Sequence, residues 1–138
     1  MKARHFILEQ LVPPDVFTAL GDKAWDLMQP NLITTIDQLY DHFGPMTINN
    51  WHTNGRFKES GYRDPNSATG AKRSQHKLGN AADIKPLKTT PRAMYDYILA
   101  NPEQFPLLTT LEDISATPTW LHVDCRVNAT PGIRIVKP

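Results

Sequence analysis

Ser74-Gln75-His76-Lys77-Leu78-Gly79-Asn80-Ala81-Ala82-Asp83 sets a histidine in a polar loop and an aspartate at the start of a short apolar run, with a glycine between them. Further on, Trp120-Leu121-His122-Val123-Asp124 alternates apolar and polar residues with the period of a strand. Two imidazoles and one carboxylate make a three-ligand metal set that leaves a fourth position for water. Structural zinc sites are usually closed and Cys-rich, so this set points to catalysis. The ligands only have to converge, and Gly79 lets the chain turn sharply between His76 and Asp83. His122 and Asp124 are two apart on a strand and so share a face. Asp124 then either accepts a proton from water at the metal or orients His122 from behind. Spacing alone does not separate such a site from unconnected polar residues.

Outward from these segments, the periodicity gives an α+β order. Asp15 is read as the cap of a first helix through Val16, Leu20, Ala24 and Leu27, ended by Pro30. Asn31 is read as the cap of a second helix, with the stripe Leu32, Ile36, Leu39, Tyr40 and Phe43, closed by Gly44-Pro45. A short strand is expected over 46–50. The polar stretch from Trp51 to Lys77 is a long loop of the kind that carries function in small domains. Strands are expected over 81–85, 107–113, 120–126 and 133–136. Thr90-Pro91 opens a helix between them. Helices first, then a helix among strands, is an α+β arrangement.

The chain has 138 residues, enough for one domain spanning 1–138 with a core that needs no staples. Fifteen Lys and Arg against fourteen Asp and Glu leave a formal charge of +1. A nucleic-acid partner normally meets a strong basic excess, so none is expected. The lone Cys125 excludes an internal disulfide framework, and its strand parity, opposite to His122 and Asp124, points it into the core. Trp25, Tyr40, Phe43 and Trp120 read as core aromatics. Lys72 and Arg73 form a small basic spot in the loop, and His5, His42 and His52 read as structural or solvent-facing. After Met1-Lys2-Ala3-Arg4-His5 come only three apolar residues before Glu9, short of the about 7–15 of a secretory core. No run approaches the ~18 apolar residues of a transmembrane helix, so no membrane partner is expected.

The first segment has the pattern Ser-x-His-x-x-Gly-x-Ala-x-Asp, and the second Trp-x-His-x-Asp. Together they resemble the zinc D-Ala-D-Ala carboxypeptidase and endopeptidase family, whose fold is shared with the hedgehog signalling domain. Ser60-Gly61-Tyr62-Arg63-Asp64-Pro65-Asn66 is similar to the Gly-Tyr-Arg segment of that family. At average residue usage the five fixed residues of the first pattern recur by chance in about one chain in ten thousand of this length. The resemblance covers Ile48 to about Arg126.

The resemblance implies a small antiparallel sheet with N-terminal helices in the hedgehog/DD-peptidase manner. It implies one Zn2+ held by His76, Asp83 and His122, with Arg63 binding a substrate carboxylate through its planar fork and Ser74 hydrogen-bonding the peptide. The implied activity is hydrolysis of peptidoglycan stem-peptide or cross-link bonds near D-amino acids, by water that the metal activates at neutral pH. One position departs from the pattern. Several members carry the catalytic acid/base as Glu or Asp three residues before the last histidine, and Thr119 stands there. Asp124 is the first candidate to replace it, and Glu112 and Asp113 are the second. The alternative is a metal-stabilised module without catalysis, as in a phage tail assembly. A phage-related endolysin, made in the host cytoplasm or carried on the virion, is the expected setting, with bacterial peptidoglycan peptide as partner.

Overall fold

Proline and glycine decide where the N-terminal helices begin and end. The computed structural model describes residues 1–138. Helix α1 runs Pro14–Leu20, with Pro13 as the capping residue. Asp15 therefore lies in its first turn and does not cap it. Gly21, at φ 54, ends the α-helix, and Gly21–Leu27 continues as a 3-10 helix, so the single helix expected through Leu27 is two shorter pieces. Pro30 opens the next element instead of closing the last one. Helix α2 spans Pro30–Phe43 with Gln29 as its cap, which displaces Asn31 from that role. The reason is that proline lacks the N–H which a first helical turn cannot use, and its φ is already helical. Helix α3 spans Pro91–Ala100 and starts as expected, with Thr90 Oγ1 accepting from Ala93 N at 3.1 Å.

Five short strands follow the expected segments, β2 one residue longer and the others trimmed: β1 Met46–Thr47, β2 Ala81–Pro86, β3 Thr110–Glu112, β4 Leu121–Asp124 and β5 Arg134–Val136. They form one sheet in the order β1-β2-β4-β3-β5. The sheet is mixed, where an antiparallel one was expected: β5 pairs parallel to β3, and the other neighbours are antiparallel. β5 lies on the far side of β3 from β4 and runs antiparallel to β4, which makes it parallel to β3.

The core lies between the sheet and the helices. Leu32, Ile33, Ile36 and Leu39 of α2 are fully buried, as are Met94 and Ile98 of α3. They join Ala82 and Ile84 of β2, Leu111 of β3, and Leu121 and Val123 of β4 in one cluster. These strand residues share one face, as the two-residue period requires. The intervening residues therefore face the other way, and they are the ones with chemistry. Trp25 belongs to the core, with Tyr40 and Phe43 packed against it. Cys125 is buried as expected, its Sγ 3.4 Å from Thr35 Oγ1. No helix is long and apolar enough to cross a membrane.

Candidate metal centre

Asp83 of β2 is the direct register partner of His122 on β4. On the other side, β3 pairs with β4 through Thr110↔Asp124 and Leu111↔Val123. Extending that antiparallel register by one more pair sets Glu112 level with His122. Asp83, His122 and Glu112 thus form a row across three strands, on the face turned away from the core.

His76 comes to this row from outside the sheet. It sits on a one-turn 3-10 helix, Gln75–Leu78, whose first turn is capped by Ser74 Oγ accepting from His76 N at 3.3 Å. Gly79 ends the turn at φ 69, with the Leu27 carbonyl lying where a side chain would begin. The Ser60–Arg63 segment ties the turn to the sheet. Arg63 N donates to His76 O at 3.1 Å, Asp83 N to Ser60 O at 2.7 Å, and Tyr62 N to Leu11 O at 2.7 Å.

The three expected ligands converge. His76 Nε2 lies 3.3 Å and His122 Nδ1 3.1 Å from Asp83 Oδ1. All three ligand atoms are within 4.8 Å of one another, so these side chains could hold a metal ion. Both rings are fixed from behind. His76 Nδ1 is 2.9 Å from Gly61 O. A carbonyl only accepts, so Nδ1 carries a proton, and Nε2 is the nitrogen turned toward Asp83. His122 Nε2 is 2.8 Å from Asp124 Oδ2, which holds that proton on Nε2 and aims Nδ1 at the centre. A donor set of two imidazoles, each with an outer partner, and a carboxylate fits a divalent metal.

Electrostatics follow from the same contacts. Burial would raise the Asp83 pKa, but hydrogen bonds from His122 and His76 outweigh it and hold the carboxyl well below its usual range. Burial would lower the His122 pKa, but Asp124, Asp83 and the charge of Glu112 push it up to about 9. Asp124 is fully buried and is likewise held below its usual range, because His122 and Arg126 outweigh its burial.

The three candidate carboxylates separate clearly. Asp124 stands behind the His122 ring, on the far side from Asp83. Its oxygens are occupied by His122 Nε2, by Arg126 N and Nε at 3.2 and 2.8 Å, and by Arg126 Nη2 at 2.5 Å. In this position it orients the His122 ring, the second of the two roles that the sequence left open for it. Asp113 points off the site, and its Oδ1 accepts from Ser115 N and Oγ at 3.0 and 2.8 Å. Strand parity explains this, since its neighbour Glu112 takes the site face. Glu112 Oε1 lies 3.6 Å from His122 Nδ1 without joining the convergent group of three. Thr119 is exposed on an open cleft next to the centre.

Arg63 is buried, and three of its five N–H groups are already in use. Nε and Nη2 reach Glu59 O at 3.3 and 3.1 Å, and Nη1 reaches Thr69 O at 3.4 Å. It braces the loop wall while lining both the cleft and the pocket over the ligands. Ser74 lines that pocket, and its hydroxyl caps the turn carrying His76. Lys72 and Arg73 are exposed. Trp120, expected in the core, instead lines the cleft and the pocket with its ring half-buried. His5 pairs with Asp41 at 2.6 Å and His42 stacks on Tyr97, both away from the centre.

Two contributors were not anticipated from the sequence. Arg126 neutralises Asp124, and a charged residue two places beyond another on a strand was the available signal. Lys85 stands beside Asp83, where burial lowers its pKa to about 8, with Asp83 opposing the shift and Arg56 adding to it. No protein-family model, no curated protein and no solved structure matches the chain.

Proposed function

We propose that this protein is a zinc-dependent peptidase with the hedgehog/DD-peptidase type of fold, acting on peptidoglycan stem-peptide or cross-link bonds near D-amino acids. The observation that carries the reading is the convergence of His76 Nε2, Asp83 Oδ1 and His122 Nδ1, with the Glu112 carboxylate alongside at 3.6 Å from His122 Nδ1. Two imidazoles and one carboxylate favour zinc among the common divalent metals. When bound, the ion supplies Lewis-acid activation of a carbonyl and of water.

The chain's own residues supply the rest. Glu112 Oε1 takes the proton of the attacking water and returns it to the leaving amine nitrogen, in the role that a carboxylate three residues before His122 has in the resembling family. Asp124 and Arg126 keep the His122 ring turned so that Nδ1 stays a ligand. Arg63 shapes the wall between ligand pocket and cleft, and the cleft gives an extended peptide room to reach Asp83.

Thr119 favours a second reading, a metal-stabilised module without catalysis, because no carboxylate occupies the family's usual base position. The two separate in one experiment. Zinc-loaded protein is incubated with purified peptidoglycan, and released fragments are measured for wild type, His76→Ala and Glu112→Gln. The peptidase reading expects release by wild type and loss in both variants. Zinc binding without any release leaves the non-catalytic reading standing.

A further inference from the structure

The cleft next to the centre has a volume of about 860 Å³ and is bordered by Asp83 and Trp120, so any chain lying in it abuts the metal ligands. Four cations line it, Arg56, Lys58, Arg63 and Lys85, against two carboxylates, Glu59 and Asp83. Both carboxylates are engaged. Glu59 accepts from Ser67 Oγ at 3.0 Å on each oxygen, and Asp83 faces the two imidazoles. Arg63 spends three of its five N–H groups on backbone carbonyls of the loop wall.

Arg56 and Lys85 are different. Both lie over the ring of Phe57, with Arg56 Cζ 5.1 Å and Lys85 Nζ 3.9 Å from its centroid. The Lys85 ammonium is anchored on neutral acceptors, Ile48 O at 2.6 Å and Ser60 Oγ at 2.9 Å, which leaves one of its three N–H groups uncommitted. Arg56 is exposed and donates no side-chain hydrogen bond, and neither cation forms an ion pair. Like charges drawn to one aromatic ring repel each other, and an anion between them relieves that repulsion. A cleft lined by one sign of charge also concentrates ligands of the opposite sign.

We infer that Arg56 and Lys85 form an anion-binding subsite of the cleft, which takes a carboxylate of the peptide substrate at a point removed from the bond being cut. The identity of the ligand as a peptide carboxylate rests on the peptidase reading, while the anion site itself rests on the geometry around Phe57. The subsite gives the cleft a second substrate-anchoring point beside Arg63, whose guanidinium is held on three sides by the loop.

The test is equilibrium binding to the whole chain, kept metal-free by chelator so that the probes are not turned over. The probes are L-Ala-γ-D-Glu-L-Lys-D-Ala-D-Ala, the same peptide with the D-Glu carboxylate amidated, and the same peptide with its C-terminus amidated. One amidation is expected to weaken binding to wild type by about tenfold, as for loss of a charge-assisted hydrogen bond. Arg56→Gln, a surface change with no hydrogen bond to lose, is expected to remove most of that discrimination. Lys85→Met is expected to do the same in protein shown by circular dichroism to be folded. Equal binding of all three peptides to wild type, or full discrimination retained in Arg56→Gln, overturns the subsite. Because binding is read without turnover, discrimination by a protein that releases nothing from peptidoglycan supports the subsite while the peptidase reading fails.

Discussion

His122 Nδ1 and Glu112 Oε1 lie 3.6 Å apart across the β3–β4 pair, where the strand register sets the two residues level. The same ring edge faces Asp83 at 3.1 Å. Glu112 is therefore beside the metal ligands without being one of them, where a proton acceptor is needed. Glu112→Gln keeps the shape and removes the basic oxygen. Peptide turnover is expected to fall by about 10²–10⁴-fold, the usual worth of general acid–base catalysis. Zinc stoichiometry stays at the wild-type value. Turnover and metal content measured on the same preparation check this, and wild-type turnover in the variant would return the role to another group.

Asp124 predicts a different pattern. It fixes the tautomer of His122 and is itself held by Arg126. Asp124→Asn is expected to weaken zinc binding by about 10–100-fold, as for other outer partners of ligating histidines. Saturating zinc restores most of the turnover, which it does not do for Glu112→Gln. Arg126→Met leaves a buried carboxylate short of its charged partner and is expected to lower stability by about 1.5–3 kcal/mol. Competition with a chelating dye gives the affinities, and denaturant titration gives the stability.

The contrast between these carboxylates shows what the sequence made legible. Strand alternation placed His122 and Asp124 on one face, and Gly79 was read as the turn that lets His76 and Asp83 converge. Parity alone could not say on which side of the His122 ring Asp124 would stand, because that depends on the χ angles chosen when Arg126 arrives. Nor could it bring Glu112 forward, since the register between β3 and β4 is a long-range property set by the shared core of Leu111 and Val123. The same limit applies to β5, whose parallel pairing needs the path of the chain. At the N-terminus, Pro30 was read as a stop when its better use is as a start. A proline marks a boundary without saying which side of it is helical. Arg63 was legible as a special position, but three of its five N–H groups are taken by carbonyls of its own loop, which no spacing rule foretells.

The metal-free centre should be sensitive to pH. The His122 pKa is raised from about 6.5 unfolded to about 9 folded. Its stabilising contribution is therefore complete below the unfolded value and is lost as pH rises through the folded one. Asp83 and Asp124 are lowered, so their contribution is present above about 4 and fades as pH falls. The chelator-treated protein is expected to melt highest between about pH 4 and 6.5 and to lose stability toward pH 9. Zinc displaces the His122 proton, so the rise in melting temperature on adding zinc grows over that same upper range. Scanning fluorimetry with and without chelator reads both trends. A metal-free melting temperature that stays flat from neutral to alkaline pH contradicts the account.

Cys125 sits three residues past His122, yet it is expected to be chemically silent. Burial pushes its thiol up to about 11 despite the Thr35 hydroxyl, with the Asp124 charge adding to the shift. The thiolate is the reactive form, and it is scarce at neutral pH. Labelling by a small alkylating reagent should be slow in the folded protein and rapid after denaturation. Fast labelling of the folded protein would place Cys125 in solvent and would sink the core assignment of this end of β4.

Gly79 offers the sharpest mechanical test, because it couples the fold to His76. Its φ of 69 lies in the left-handed region, and a Cβ there would meet the Leu27 carbonyl. The Gly79 carbonyl also accepts from Gln29 N at 2.9 Å, which ties the turn to the start of α2. An L-residue in that conformation costs roughly 1–2 kcal/mol before any clash is counted. Gly132, at φ 90, has the same backbone penalty but nothing within 4 Å of an added Cβ. Gly132→Ala is therefore expected to lose only the backbone term. Gly79→Ala loses that and more, since either the turn or the Leu27 backbone has to shift. The shift moves His76 Nε2 off Asp83, so zinc affinity falls in Gly79→Ala and is unchanged in Gly132→Ala. Melting temperature and zinc affinity of the two variants decide the matter. Equal destabilisation with unchanged zinc affinity in both would show that the close approach at Leu27 does not position the ligand.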